Sequence, residues 1–333
     1  MEVAMTKSFS FTRRAVLSAA AVAATTAAGM PQIMVRAAHA QVPMPEIDNP
    51  GFNRFRLGSF EITTIYDGGR AGDGPHPTFG ADQDSATVAT LLEENLLPTD
   101  RFVNGFTPTL VNTGSELVLF DTGFGPAGRE NGLGRLRERM QASGYRPEDV
   151  SIVIVTHFHP DHISGLMEGD SPAFPNARYV VGQTEYDFWT APERMSGPTE
   201  RVATLVERNI KPLAEKMTMV REGNAVTGGI TGMMASGHTP GHMIFLIESE
   251  GRQLVVTADT CNHFVVSLQR PDWHVAFDMD KEAAAATRRR VFDMIAADRL
   301  PFIGYHMPFP AVGYVEKLDI GYRYVPETYQ LDI

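Results

Sequence analysis

The sequence predicts an α+β fold, a sheet-on-sheet sandwich of two similar β/α halves with helices outside. Three observations carry this expectation. Each half of the 333 residues runs β-type segments first and helix-period segments near its end. Hydrophobic residues make up 43% of the chain, enough for a substantial core. No glycine-rich loop links a strand to a helix in the manner of a phosphate-binding fold, so a nucleotide-binding architecture is not expected.

The elements follow in order. Residues 1–40 read as a twin-arginine signal peptide. Arg13 and Arg14 precede a short run of small apolar residues, and Ala38–Ala40 offer a small-x-small cleavage site. The apolar run is too short for a membrane span. Residues 41–53, rich in proline, read as an irregular arm, and residues 54–333 as the folded domain. "FEITTIYDGG" is a strand closed by a glycine turn, and "SATVATLLEENL" has helical spacing. "TPTLVNTG" and "ELVLFDTG" form a strand pair turning at Thr113–Gly114. "LGRLRERMQASG" is an amphipathic helix, and "DVSIVIVTH" is a buried strand. In the second half "ARYVVG" is a strand, and "TERVATLVERNIKPLAEK" is a helix broken or kinked at Pro212. "ITGMMASGH", "HMIFLIES" and "RQLVVTAD" are successive strands. Residues 281–298 are a helix and "FIGYH" a last short strand.

The charge balance limits the partners. The formal net charge is −11, and removing residues 1–40 makes the remainder more acidic still, since they carry four basic residues and one acidic. Such a surface disfavours nucleic acid and anionic membranes, which leaves small molecules as expected partners; a homodimer is compatible with this. Cys261 is the only cysteine, so no intrachain disulfide forms. The expected location is the periplasm or the exterior.

The chemistry concentrates in "VIVTHFHPDHISG". His157, His159, Asp161 and His162 fall within six positions directly after an apolar strand. Imidazoles and a carboxylate packed that densely suit zinc, manganese, iron or cobalt. One ion cannot take all four from so short a segment, whereas two ions can share them. Alternation predicts that His157, His159 and Asp161 project to one side of an extended loop. Further ligand types stand where other strands run out: His238 in "ASGHTPGH", Asp259 in "VVTADTCNH" and His306 in "FIGYHMPFP". All would line one edge of the sandwich.

The set THxHxDH, GHTPGH, a strand-end Asp and a late His resembles the metallo-β-lactamase superfamily over the whole mature chain. "FPNARYVVGQTEYDFW", "GHTPGHMIFLIES", "YHMPFPAVGYV" and "GYRYVPETY" resemble the methyl parathion hydrolase-like group and the adjoining quorum-quenching lactonases. The resemblance implies the superfamily's αββα sandwich and two divalent ions, zinc foremost. One would sit on His157, His159 and His238, the other on Asp161, His162 and His306, with Asp259 bridging. It also implies hydrolysis by a hydroxide shared between the ions, with Asp161 or Asp259 passing a proton. Lactones or aryl esters are the expected substrates, and phosphotriesters the alternative. A glyoxalase II-like thiolesterase, an iron sulfur dioxygenase and a metal-binding protein without turnover are weaker alternatives. Asp121 resembles a ligand-orienting position, and His242 a supporting residue of its turn. Trp189, His263, Phe124 and Phe309 are candidate pocket residues. Phe106 and Trp273 are also considered, with core packing favoured for both.

Overall fold

The computed structural model describes residues 49–328, so the expected signal peptide and most of the expected arm lie outside the described residues. The first elements are strand β1 (Phe52–Leu57), β2 (Phe60–Ile65), β3 (Gly68–Asp73), helix α1 (Ser85–Glu94), β4 (Arg101–Phe106), β5 (Thr109–Asn112), β6 (Leu117–Phe120) and α2 (Leu136–Ala142). Then come β7 (Ile152–Val155), the single-turn helix α3 (Pro160–Ile163), β8 (Met167–Glu168), β9 (Ser171–Pro172), β10 (Arg178–Gly182), α4 (Gln183–Thr190) and α5 (Glu200–Asn209). The second half contains β11 (Met217–Val220), β12 (Ala225–Thr227), β13 (Ile230–Met234), β14 (Met243–Ser249), β15 (Arg252–Ala258), α6 (Val266–Gln269), α7 (Lys281–Asp298), β16 (Phe302–Gly304), β17 (Val312–Lys317) and β18 (Tyr322–Pro326).

Two seven-stranded sheets result, in the orders β1-β2-β5-β6-β7-β10-β11 and β12-β13-β14-β15-β16-β17-β18. Side chains alternate across each strand, and the alternation divides the core into layers. Ile152 and Ile154 of β7 meet Leu254 and Val256 of β15 between the sheets. Val153 and Val155 point the other way, toward Leu136, Met140 and Val206 of α2 and α5. Val255 turns outward from the second sheet onto Val291, Phe292 and Ile295 of α7. Each such aliphatic side chain contributes about 1.5–3 kcal/mol when fully buried, so a one-residue register slip would be prohibitive. The order helix, sheet, sheet, helix is the predicted sandwich.

Several local expectations are corrected. Phe52 and Asn53, assigned to the arm, are paired in β1 with Ile65 and Thr64. Gly68 and Gly69, read as a turn, begin β3, which pairs only with β4 as a separate antiparallel ribbon. "FIGYH" is not the last strand, since β17 and β18 continue the second sheet. Pro212 follows the end of α5, and residues 211–216 continue as a 3₁₀ segment because proline removes a helix hydrogen bond. Helix α7 spans the predicted residues 281–298, started by Asp280, whose side chain accepts from the Ala283 N–H.

Candidate metal centre

Seven ligand-type side chains converge where the strands end. His157 follows β7, and His159, Asp161 and His162 sit at or within α3. His238, Asp259 and His306 follow β13, β15 and β16. They form two groups, His157–His159–His238–Asp259 and Asp161–His162–Asp259–His306, with the candidate ligand atoms of each group within 4.8 Å of one another. Asp259 belongs to both. The expectation that Asp161 projects with His157 and His159 fails, because Pro160 starts a helical turn and carries Asp161 to the other group.

Contacts within the cluster are short. Asp259 Oδ2 lies 3.2 Å from His238 Nε2 and 3.0 Å from His306 Nε2, and Oδ1 lies 3.2 Å from His162 Nε2. His159 Nδ1 and His238 Nε2 face each other at 2.9 Å. His157 Nε2, His162 Nε2 and Asp259 Oδ1 are buried without a hydrogen-bond partner. Orphaned lone pairs of this kind are costly in a protein interior, and a cation among them removes the cost. The residues therefore fit two dications.

Electrostatics point the same way. Burial holds the His157 imidazole well below its ordinary pKa and, with His238 nearby, lowers that of His159 to about 3. Burial also opposes charge on His162, His238 and His306, but the adjacent carboxylates outweigh it and raise all three, His238 to about 9. Burial disfavours ionised Asp259 too, yet the surrounding histidines drive its pKa well below the usual carboxylate range. Protons hold the site's negative charge together here, and metal ions compete for the same lone pairs.

A further set of groups aims the cluster. Asp121 accepts from the Thr156 N–H and hydroxyl at 2.9 Å each and stands 2.8 Å from His162 Nδ1. His306 Nδ1 donates to the Gly105 carbonyl at 2.9 Å. His242 donates from Nδ1 to the Ala235 carbonyl, and its Nε2 accepts the N–H of Asp259. Burial keeps His242 neutral, with a pKa of about 3. Asp121 and His242 thus position His162 and Asp259 directly, and neither belongs to the two ligand groups.

Three supporting residues escaped the sequence reading. Glu185 on α4 is fully buried and accepts from the Phe158 N–H, the Thr239 hydroxyl, the Gly241 N–H and Trp189 Nε1. It ties the His157–His159 loop to the His238 loop. The glycines of that loop permit the approach: a Cβ on Gly241 would lie 2.1 Å from the Glu185 nitrogen, and one on Gly237 (φ +129) 2.2 Å from the Ala284 nitrogen. Asp278 accepts from His238 and from Arg288, itself buried on α7. Glu185 lay within a quoted motif and one helical turn before Trp189. Arg288 stands in a run of three arginines, of which it alone is buried.

The cluster floors a cavity of about 560 Å³. Phe102, Phe106 and Phe124 form its apolar wall with Phe277, while Arg70 and Arg201 line it as cations. Phe124 was expected there. Phe106 lines the cavity although core packing was favoured for it, and packs edge-on against Phe124 at 4.8 Å. Trp189 is corrected to a core residue bound to Glu185. Phe309 packs on Tyr66, whose ring lies against Gly69 and Gly105 of the ribbon, and it does not line the cavity. His263 lines a neighbouring cavity instead, with Nδ1 accepting the N–H groups of Val265 and Val266. Trp273 packs in the cluster around Phe79 and Val88, as expected of a core residue.

An αββα sandwich carrying two adjoining His/Asp clusters at its strand ends is a metal-site fold of a defined class. The chain belongs to the metallo-beta-lactamase superfamily, whose family model matches residues 107–301. An N-acyl homoserine lactonase from Bacillus cereus is 26% identical over 168 residues, covering 50% of this chain and 60% of that protein. The N-acyl homoserine lactonase AttM from Agrobacterium fabrum is 25% identical over 129 residues, covering 37% and 45%. The chain thus spans about half the length of the curated relatives it matches. Among solved structures, AidC, a dizinc quorum-quenching lactonase in complex with a product, superposes with a TM-score of 0.77 at 25% identity, covering 84% of this chain and 98% of AidC. The hydrolase AbOPH of the beta-lactamase superfamily gives 0.77 at 26% identity, covering 85% and 99%.

Proposed function

We propose that the protein is a two-metal hydrolase of lactones, N-acyl homoserine lactones foremost, with aryl esters as secondary substrates. The observation that carries this is the pair of ligand groups sharing Asp259 at the floor of an aromatic-walled cavity. The lactonase names of the relatives and of AidC support the substrate class.

His157, His159 and His238 would hold one ion, and Asp161, His162 and His306 the other, with Asp259 serving both. Zinc is the first choice for such imidazole and carboxylate donors. Two dications held there supply Lewis acidity to a carbonyl oxygen and make water a nucleophile near neutral pH.

The protein's own groups do the rest. Asp161 lines the cavity, and burial notwithstanding, the adjacent His162 and His306 hold its pKa below the ordinary carboxylate value, so it stays ionised and can serve only as a weak, transient proton acceptor. Asp259 faces histidines with both oxygens and belongs to both ligand groups, so it acts as a holder rather than a carrier. The phenylalanine wall takes the apolar part of the substrate and excludes water. Arg70 and Arg201 offer donors to its polar part or to the carboxylate product.

The test is a hydrolysis panel on zinc-loaded protein: acyl-homoserine lactones, dihydrocoumarin, phenyl acetate, methyl parathion and a cephalosporin. The expected order puts the acyl-homoserine lactones first in kcat/KM. Methyl parathion or the cephalosporin exceeding every lactone and ester would overturn the reading.

A further inference from the structure

Apart from the cluster itself, the charged liners of the cavity are Arg70 and Arg201, both cations. The chain carries a formal net charge of −11, so the cavity wall runs against the sign of the whole molecule. Other arginines are matched with carboxylates. Arg129 and Arg137 share Glu168, and Arg289 pairs with Asp272. Arg70 and Arg201 are exposed, and neither forms an ion pair or a hydrogen bond among the described residues.

Their placement is set by the fold. Arg70 pairs directly with Asn104 in the ribbon, so the two side chains share a face. Phe102 and Phe106 stand two residues either way along β4 and share it too, and all four line the cavity. The neighbouring positions of β3 on that face are Gly68 and Gly72, which leave the guanidinium room. Asn104 also forms no hydrogen bond among the described residues. Arg201 comes from the helical layer, as the second residue of α5, and it lines both the cavity and a groove just outside it. A cation in the first turn of a helix opposes the helix dipole. With no ion-pair partner that placement is unfavourable in the free protein, and a bound anion offsets it.

Resting on the lactonase reading, we propose that the preferred substrate is an anionic lactone, whose arm carries a carboxylate. The ring lies over the His/Asp cluster, and the arm turns toward the cavity mouth. Arg70 and Arg201 hold its carboxylate there, with Asn104 as a further donor. Guanidinium groups suit this task because two parallel N–H groups meet the two carboxylate oxygens. Phe102, Phe106 and Phe124 cover the few carbons between ring and carboxylate. Two unpaired cations at the mouth of an acidic protein also steer anions inward.

The experiment compares N-succinyl-L-homoserine lactone with its neutral twin, N-succinamoyl-L-homoserine lactone, in which a carboxamide replaces the carboxylate. The zinc-loaded wild type is set against Arg70→Gln, Arg201→Gln and the double variant. Both side chains are exposed, so the variants do not threaten the core. The wild type should favour the anionic lactone about tenfold in kcat/KM, mainly through KM. Added salt should shrink that ratio. Each single variant should lower it, and the double variant should bring it near one. Calorimetry with the two ring-opened products supplies a readout that needs no turnover. N-succinyl-L-homoserine should bind the wild type about tenfold tighter than N-succinamoyl-L-homoserine, and the double variant should bind both alike. No preference for the anionic member in the wild type, or a preference that survives in the double variant, would overturn the proposal. Arginine-dependent binding of the anionic product by a protein that hydrolyses no lactone would support the anion site and sink only the lactonase reading.

Discussion

Asp278 Oδ1 stands 2.9 Å from His238 Nδ1, and the same carboxylate is held at 2.8 Å by buried Arg288. The arrangement fixes which imidazole nitrogen faces the cluster, and it anchors the ring to α7. Asp278→Asn should weaken metal binding by about 10–100-fold. Activity should fall at limiting zinc and recover with excess zinc. Unchanged zinc affinity in a competition titration would remove the positioning role.

Metal content tests the shared carboxylate. The purified protein should carry two dications per chain. His306→Ala should lose one of them, and Asp259→Ala should lose both, because both ligand groups contain Asp259. Elemental analysis finding one ion firmly retained by Asp259→Ala would contradict the sharing.

Glu185 accepts four hydrogen bonds and is fully buried. Glutamine keeps the shape but turns one acceptor into a donor facing donors. Glu185→Gln should cost about 2–4 kcal/mol in urea unfolding, from unsatisfied buried groups. A loss below about 1 kcal/mol would show that the loops are held together by other contacts.

His263 gives a signed pH dependence. Its folded pKa of about 4 lies below the ordinary 6.5, so in that window the unfolded chain binds a proton that the folded chain refuses. Stability is fully present above pH 6.5 and declines as the pH falls toward 4. By pH 5 this one group removes about 2 kcal/mol. Asparagine keeps an acceptor for the Val265 and Val266 N–H groups without the titration. The loss of unfolding free energy between pH 7 and pH 5 should be about 2 kcal/mol smaller in metal-free His263→Asn than in the metal-free wild type. Equal losses in the two proteins would refute it.

The sequence made the cluster legible because each of the four segments that carry it follows an apolar strand. Strand ends at one edge of a sandwich converge whatever the loops do between them. Helix α7 was legible because residues 281–298 contain neither glycine nor proline to interrupt the helical run. The ribbon was not. Gly68 and Gly69 look like a turn, yet Gly69 opens room for Tyr66, whose hydroxyl would lie 2.1 Å from a Cβ there. Trp189 and Phe309 were misplaced because an aromatic side chain serves a core and a pocket wall equally well, and only the packing decides between them. Glu185, Asp278 and Arg288 were missed because their partners lie 27 to 56, 10 to 40 and 10 to 28 residues away along the chain, apart from Trp189 on the helix of Glu185.

The ribbon β3–β4 forms its backbone ladder only with itself, while all seven cluster residues follow strands of the two large sheets or sit at α3; the Gly105 carbonyl of β4 accepts from His306 Nδ1. It nevertheless supplies Arg70, Phe102, Asn104 and Phe106 to the cavity. The part of the chain that lines the approach to the floor is thereby built apart from the sheets that hold the cluster and touches it at His306. Substitutions in the ribbon can accumulate under selection for new diets while the inherited reaction stays intact, so divergence among descendants of this gene should concentrate there first.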